Sequence, residues 1–156
     1  MDNKHASDFI QTSGQMISGK GGKLEGYHQE SGWHRIATID TSASHGYGSH
    51  ILYLTGTYNH AQNTNAIIHI NTSHTTGKIT QVSGHAGFAN KIRLVNVSSN
   101  KFYVDVHINY TDNTSQSNDT PGTVYYYFLG NGSVTINKEV EKITTTVTAA
   151  SEVTLT

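Results

Sequence analysis

From residue 33 onward the chain alternates apolar and polar positions in short runs. The clearest covers 101–110, where Phe102, Val104, Val106 and Ile108 alternate with Tyr103, Asp105, His107 and Asn109. A period of two with one apolar face is the pattern of an antiparallel strand, dry on one side and wet on the other. Similar runs cover 33–40, 49–57, 65–73, 77–84, 91–98, 123–130, 132–140 and 141–148. In WHRIATID, strict alternation places Trp33, Arg35, Ala37 and Ile39 on one face and His34, Ile36 and Thr38 on the other. Turn-forming segments separate the runs, among them SHGYGS, SHTTGK, GHAGFAN, SSNK and TDNTSQSNDTPG. About nine short strands at this spacing predict an all-β fold, an antiparallel β-sandwich of jelly-roll type.

One run breaks the one-sided pattern. TVYYYFLG (123–130) carries Val124, Tyr126 and Phe128 on one face and Tyr125, Tyr127 and Leu129 on the other. A sandwich strand needs only one apolar face. Either loops cover the second face or it packs against another copy of the chain.

Composition narrows the class. The 156 residues fit one domain, and the low charged fraction of 13% is made up by Ser, Asn, Gly and 21 Thr, which suit strands and turns. A net charge of −1 with nine Tyr argues against disorder. The same near-neutral charge removes the electrostatic case for nucleic acid or an anionic membrane as partner. No apolar run reaches the roughly 20 residues that span a bilayer, so membrane insertion is not expected. With no Cys there is neither a disulfide framework nor thiolate chemistry. Residues 1–26 differ from the rest, with five Gly and few large apolar groups, which predicts a division into 1–26 and 27–156.

Two segments carry a resemblance. KHASDF (4–9), in the setting DNKHASDFIQTSG, resembles the DGKHASDF segment of tail-fibre and baseplate proteins from phages and prophages of Gram-positive bacteria. GYHQESGWHRIATI (26–39) is similar to the GWYRIA opening of the β-rich tip domains of these fibres. Asn3 stands where the family has Gly, and His34 where an aromatic is common. The resemblance implies a homotrimeric fibre in a virion tail, joined to upstream fibre or baseplate proteins, whose distal domain adheres to a host-cell-wall or surface saccharide. It makes residues 1–26 a shaft or linker segment, with Phe9 and Ile10 buried where three chains meet, and 27–156 the receptor-binding head. Met1 directly before the motif suggests a piece of a longer protein.

Candidate chemistry is sparse. The ten His lie mostly in turns and at strand ends, with no HExxH and no His-x-His, so no metal and no other cofactor is expected. Glycan hydrolysis needs two carboxylates facing one cleft. Asp112 and Asp119 share the longest loop, among turn-forming neighbours, and no GxSxG occurs, so an enzyme is not expected. Recognition remains. A sugar wants a flat aromatic face and nearby planar polar groups. Trp33, Tyr47, Tyr58 and Phe88 offer the first, and His45, His85, Asn90 and Asp112 the second. Tyr47, His45, Trp33, His85 and Asp112 form the proposed ligand set. Trp33, the only Trp, reads more readily as a core or interface plug than as a ligand contact, whereas Tyr47 between two Gly reads as exposed. The rival readings are a purely structural trimerising fibre module and, third, a glycan depolymerase.

Overall fold

The computed structural model describes residues 18–25, 31–57, 63–109, 123–131 and 133–156. In chain order the strands are β1 (Ser18–Glu25), β2 (Gly32–Asp40), β3 (Tyr47–Thr57), β4 (Thr64–Ser73), β5 (Thr76–His85), β6 (Ala89–Ser98), β7 (Lys101–Ile108), β8 (Thr123–Asn131), β9 (Ser133–Ile143) and β10 (Ser151–Thr154). A 3-10 turn, Ser42–Ser44, sits between β2 and β3. Two five-stranded antiparallel sheets face each other, with orders β1-β8-β3-β4-β5 and β10-β6-β7-β2-β9. The chain is an all-β sandwich, as its alternating runs predict.

The core forms where the inward positions of both sheets meet. Leu52, Leu54, Ile68, Ile70 and Phe128 of the first sheet lie against Ile36, Ile39, Ile92, Phe102 and Val104 of the second, all essentially without solvent contact. Each such side chain contributes about 1.5–3 kcal/mol by leaving water. The 101–110 run behaves as read, with Phe102, Val104, Val106 and Ile108 inward.

Three elements differ from the sequence reading. Residues 1–26 were expected to stand apart from the head, yet β1 within them pairs with β8 along its full length and buries Leu24 in the core. The Gly residues of β1 explain why periodicity missed it. A Cβ at Gly21 or Gly22 would collide with the ring of Tyr127 or Tyr126, so close packing replaces side-chain alternation. Residues 1–17, which include KHASDF and the expected burial of Phe9 and Ile10, lie outside the described residues. The runs expected at 132–140 and 141–148 meet in one strand, β9, which takes in only the first three residues of the second run, and a connection over 144–150 then leads to β10 at the opposite edge of the same sheet.

The third difference is in β2. Arg35 pairs with Asp105 but Ala37 pairs with Val104, so Ile36 is an extra residue, a β-bulge. The bulge reverses the phase of the strand. His34 and Ile36 point inward before it, and Ala37 and Ile39 after it. Trp33 and Arg35 therefore do not share a face with Ala37 and Ile39.

His50 sits on the inward face of β3 in phase with Leu52 and Leu54 and is almost fully buried. Desolvation pushes its imidazole down to about 4. A buried neutral His destabilises the fold in acid, because the unfolded chain binds the proton more readily. The contribution is fully present above pH 6.5, falls as pH drops toward 4, and amounts to about 3 kcal/mol. His107 acts in the same direction, lowered by desolvation and then by the charge of Lys91. Thermal melts at pH 7 and pH 4 should differ less for His50→Phe than for the unmodified protein. An equal pH dependence in the two would place the acid sensitivity elsewhere.

Candidate functional site

At one end of the sandwich three connections are tied together. The N–H of Gly46 donates to the carbonyl of Thr41 (2.9 Å) and that of Thr41 to Asn100 (2.8 Å). Asn100 donates to His74 (2.9 Å), and His74 returns to Gly46 (2.8 Å). The four bonds close a ring. Each residue in it both donates and accepts, an arrangement in which hydrogen bonds polarise one another. Because Thr41 follows β2 while Gly46 leads into β3, and His74 and Asn100 turn the β4–β5 and β6–β7 hairpins, the ring joins the two sheets.

The local sequence is suited to this. His45, His74 and Asn100 hold positive φ (55°, 52° and 68°), the three non-Gly residues to do so among the described residues. Asn and His enter this region more readily than most residues. Gly46, at φ +85°, has no alternative, since a Cβ there would strike the His74 ring and the Asn100 amide oxygen. His74 Nδ1 and Asn100 Oδ1 lie 3.2 Å apart, so the side chains reinforce the backbone ring.

Tyr47 stands on this base. It is 57% exposed, the most exposed aromatic among the described residues, and its ring meets His74 edge-on at 5.2 Å. Its outward neighbours on the first sheet are Ser73, then the row Asn131, Ser49, Asn71 and Lys78. The amide oxygen of Asn131 is fixed by the N–H of Ser49 at 2.6 Å. Asn71, Ser73, Thr76 and Lys78 line a shallow groove of about 300 Å³. On the other side of the 42–44 turn, Thr38, Asp40, Ser42, Lys101, Ser133 and Thr135 line a second polar groove of about 380 Å³. There, hydrogen bonds from Ser42, with the charge of Lys101 at 3.6 Å as a lesser influence, hold Asp40 below the usual carboxylate range. The end thus combines one aromatic face with fixed amides, hydroxyls and a carboxylate.

The remaining residues of the ligand set lie elsewhere. His45 is exposed beside Tyr47, in the turn itself. His85 is exposed at the far end of the first sheet, opposite Asn65, roughly 25 Å from Tyr47 along the strands. Trp33 is half-buried on the outer face of the second sheet, held between Arg93 (4.2 Å, cation–π) and the edge of His107 (5.0 Å). It is neither a core plug nor a neighbour of Tyr47. Phe88, offered from sequence as a loop aromatic, is buried in the core, with Gly56 leaving room for its ring. Asn90 binds His107 Nδ1 at 2.9 Å. Asp112 and Tyr58 lie outside the described residues.

Sequence reasoning missed His74, Asn100 and the outer aromatic cluster of the first sheet. Tyr53 and Tyr127 are direct cross-strand neighbours, Tyr125 lies two residues along, and all three are exposed. With Thr55, Gly21 and Gly22 they line a groove of about 290 Å³. The two-faced TVYYYFLG run signalled the cluster. Nothing in SHTTGK or SSNK signalled that the two hairpin turns meet.

Gly46→Ala tests the ring. It introduces a side chain at positive φ and into the His74–Asn100 contact, and should cost about 1–3 kcal/mol in thermal or urea unfolding. A loss below about 0.5 kcal/mol would show that the turn relaxes freely and that the ring does not constrain it.

The chain matches no protein-family model and no curated protein sequence. Among solved structures it is similar to the tailspike protein of an Acinetobacter phage, with 12% identity and a TM-score of 0.41 over 75% of this chain and 22% of that one. The chain thus spans about a fifth of the tailspike.

Proposed function

We propose that this chain is a host-recognition module of a phage or prophage tail that binds a surface saccharide, without catalysis, at the Tyr47 end. The observation that carries the reading is the placement of Tyr47. An exposed aromatic ring, on a turn closed by four backbone hydrogen bonds, stands beside fixed Asn amides and Ser and Thr hydroxyls. A pyranose offers a C–H face and a rim of hydroxyls, and this surface offers the counterpart of each. The KHASDF and GWHRIA resemblances support the viral setting.

The second reading, a structural trimerising module, has its own observation. The outer face of the first sheet presents Tyr53, Tyr125 and Tyr127 beside half-buried Ile51, Ile67 and Leu129. Only four charged residues lie on that sheet's strands, Lys20, Lys23, Glu25 and Lys78, against eleven on the strands of the second. A Tyr-rich surface poor in charge has the composition of a protein interface. The two readings are compatible, with copies meeting through this face and presenting their Tyr47 ends together.

Stacking on one ring contributes on the order of 1 kcal/mol, so Tyr47→Ala should weaken saccharide binding roughly fivefold per site. Adsorption to cells should fall further, since several sites act together. The melting temperature should stay nearly unchanged, because the ring is exposed. Binding to a glycan array and to cells at the level of the unmodified protein would remove Tyr47 from the site. The assembly is tested by light scattering: a mass of about 51 kDa, three times the chain's 17.0 kDa, is expected, and Tyr127→Glu should shift it toward the monomer. A monomer at micromolar concentration in the unmodified protein would set the trimer aside.

A further inference from the structure

Between Asp40 and Lys91 the fifty residues 41–90 hold a single Asp, Glu, Lys or Arg, and it is Lys78. That stretch supplies β3, β4 and β5, three of the five strands of the first sheet, and β8 between β3 and β1 adds no charge. Without Lys78 those four strands would present an uncharged surface. The side chain is exposed on the outer face of β5, opposite Asn71. Lys91 and Lys101 of the second sheet stand by Glu152 and Asp40, each at 3.6 Å. Among the described residues Lys78 has no such acidic partner.

Its position relates it to Tyr47. The groove of about 300 Å³ begins at Ser73, the cross-strand neighbour of Tyr47, and includes Lys78. Two strand steps across and two residues along put the two Cα atoms roughly 12 Å apart. The hydroxyl of Thr76 donates to the carbonyl of Ser73 at 2.9 Å, and the amide oxygen of Asn131 accepts from Ser49, which leaves the Asn131 NH₂ to donate outward. The groove on the other side of the 42–44 turn differs in charge, since there Lys101 stands beside Asp40. One flank of the Tyr47 end thus carries a charge of each sign, and the other a cation alone.

We infer that the saccharide held at the Tyr47 end is acidic: one unit stacks on Tyr47, and a carboxylate or phosphate on the same glycan is bound by Lys78 in the groove between β4 and β5. This rests on saccharide recognition at that end and narrows its ligand class. A Lys ammonium is a point charge with three rotatable donors, so it serves either anionic group. With no carboxylate on β3, β4, β5 or β8, an incoming anion displaces no partner and meets no like charge from those strands. A neutral glycan would gain nothing from the ammonium, so the charge adds selectivity to an aromatic contact that has little of its own.

The test is an array of neutral, uronate-bearing and phosphorylated glycans, probed with the unmodified protein and with Lys78→Gln, Lys78→Arg and Lys78→Glu. Acidic glycans should bind roughly two- to fivefold more tightly per site than their neutral counterparts, the range of an exposed ion pair. The uronate and phosphate arms show which anion is preferred. The preference should vanish in Lys78→Gln, persist in Lys78→Arg and reverse in Lys78→Glu. It should also vanish in about 1 M salt, where charges are screened beyond about 3 Å. Equal binding of acidic and neutral glycans by the unmodified protein would overturn the inference and leave saccharide recognition standing. A preference that survives in Lys78→Gln would also overturn it, and would leave Lys78 as a guard on the free edge of β5. Binding to no glycan at all would remove the recognition function and the inference together.

Discussion

The outer chemistry of the second sheet depends on one extra residue, Ile36. Because side chains alternate with a period of two, a strand without the bulge would keep Trp33, Arg35, Ala37 and Ile39 on one face. Either two aliphatic side chains would be exposed or a Trp and an Arg would enter the core. The bulge buries Ile36, Ala37 and Ile39 and keeps Trp33 and Arg35 outside. It also sets Arg35 directly across from Asp105, whose other cross-strand neighbour is Arg93. Asp105 takes Arg35 Nε at 2.9 Å and Arg93 Nε at 3.0 Å with no exposure of its own. A carboxylate so buried needs its charge paired and its oxygens hydrogen-bonded, and the two guanidinium groups supply both.

That pair belongs to a longer row. Glu152, Arg93, Asp105, Arg35 and Glu141 stand opposite one another across all five strands, so the sign alternates at every step. Tyr103 lies under Arg35 at 3.7 Å, and Trp33 under Arg93 at 4.2 Å. The rings fix the guanidinium planes, and the carboxylates fix their directions. Among the described residues, the first sheet has no such row. Its outer face relies on tyrosines and aliphatic groups, and the division of charge between the sheets makes the two outer faces unequal. One carries its charges in pairs within the chain, while the other presents tyrosines and aliphatic groups with few charges.

How much of this was legible in the sequence depends on period. Strands with a regular alternation, β3, β4 and β7 above all, could be placed within a few residues. The Gly-rich β1 could not, because it packs by letting Tyr126 and Tyr127 approach its backbone, and missing side chains leave no periodic signal. The bulge in β2 was invisible for the opposite reason, since WHRIATID alternates well enough to look regular. His50 was partly legible, being in phase with Leu52 and Leu54. Tyr47 was placed by its flanking glycines, and it is exposed. What supports it was not, because Thr41, Gly46, His74 and Asn100 come from three connections far apart in the chain. Their meeting is a property of the sandwich, not of any local segment.

The ring also bears on why a binding residue would sit at this end. Left-handed backbone at His45, His74 and Asn100 is unfavourable for residues with a Cβ, and it persists only where the surroundings over-determine it. Here four backbone hydrogen bonds and the His74–Asn100 contact do so. The conformational cost of holding Tyr47 and its neighbours in place is therefore met on folding, by the core and by the ring. A ligand arriving at the end would not have to order the turn. For weak, repeated contacts such as aromatic–sugar stacking, that difference is comparable to the contact energy itself, so a rigid base under one exposed ring does more for affinity than a second ring on a loose loop.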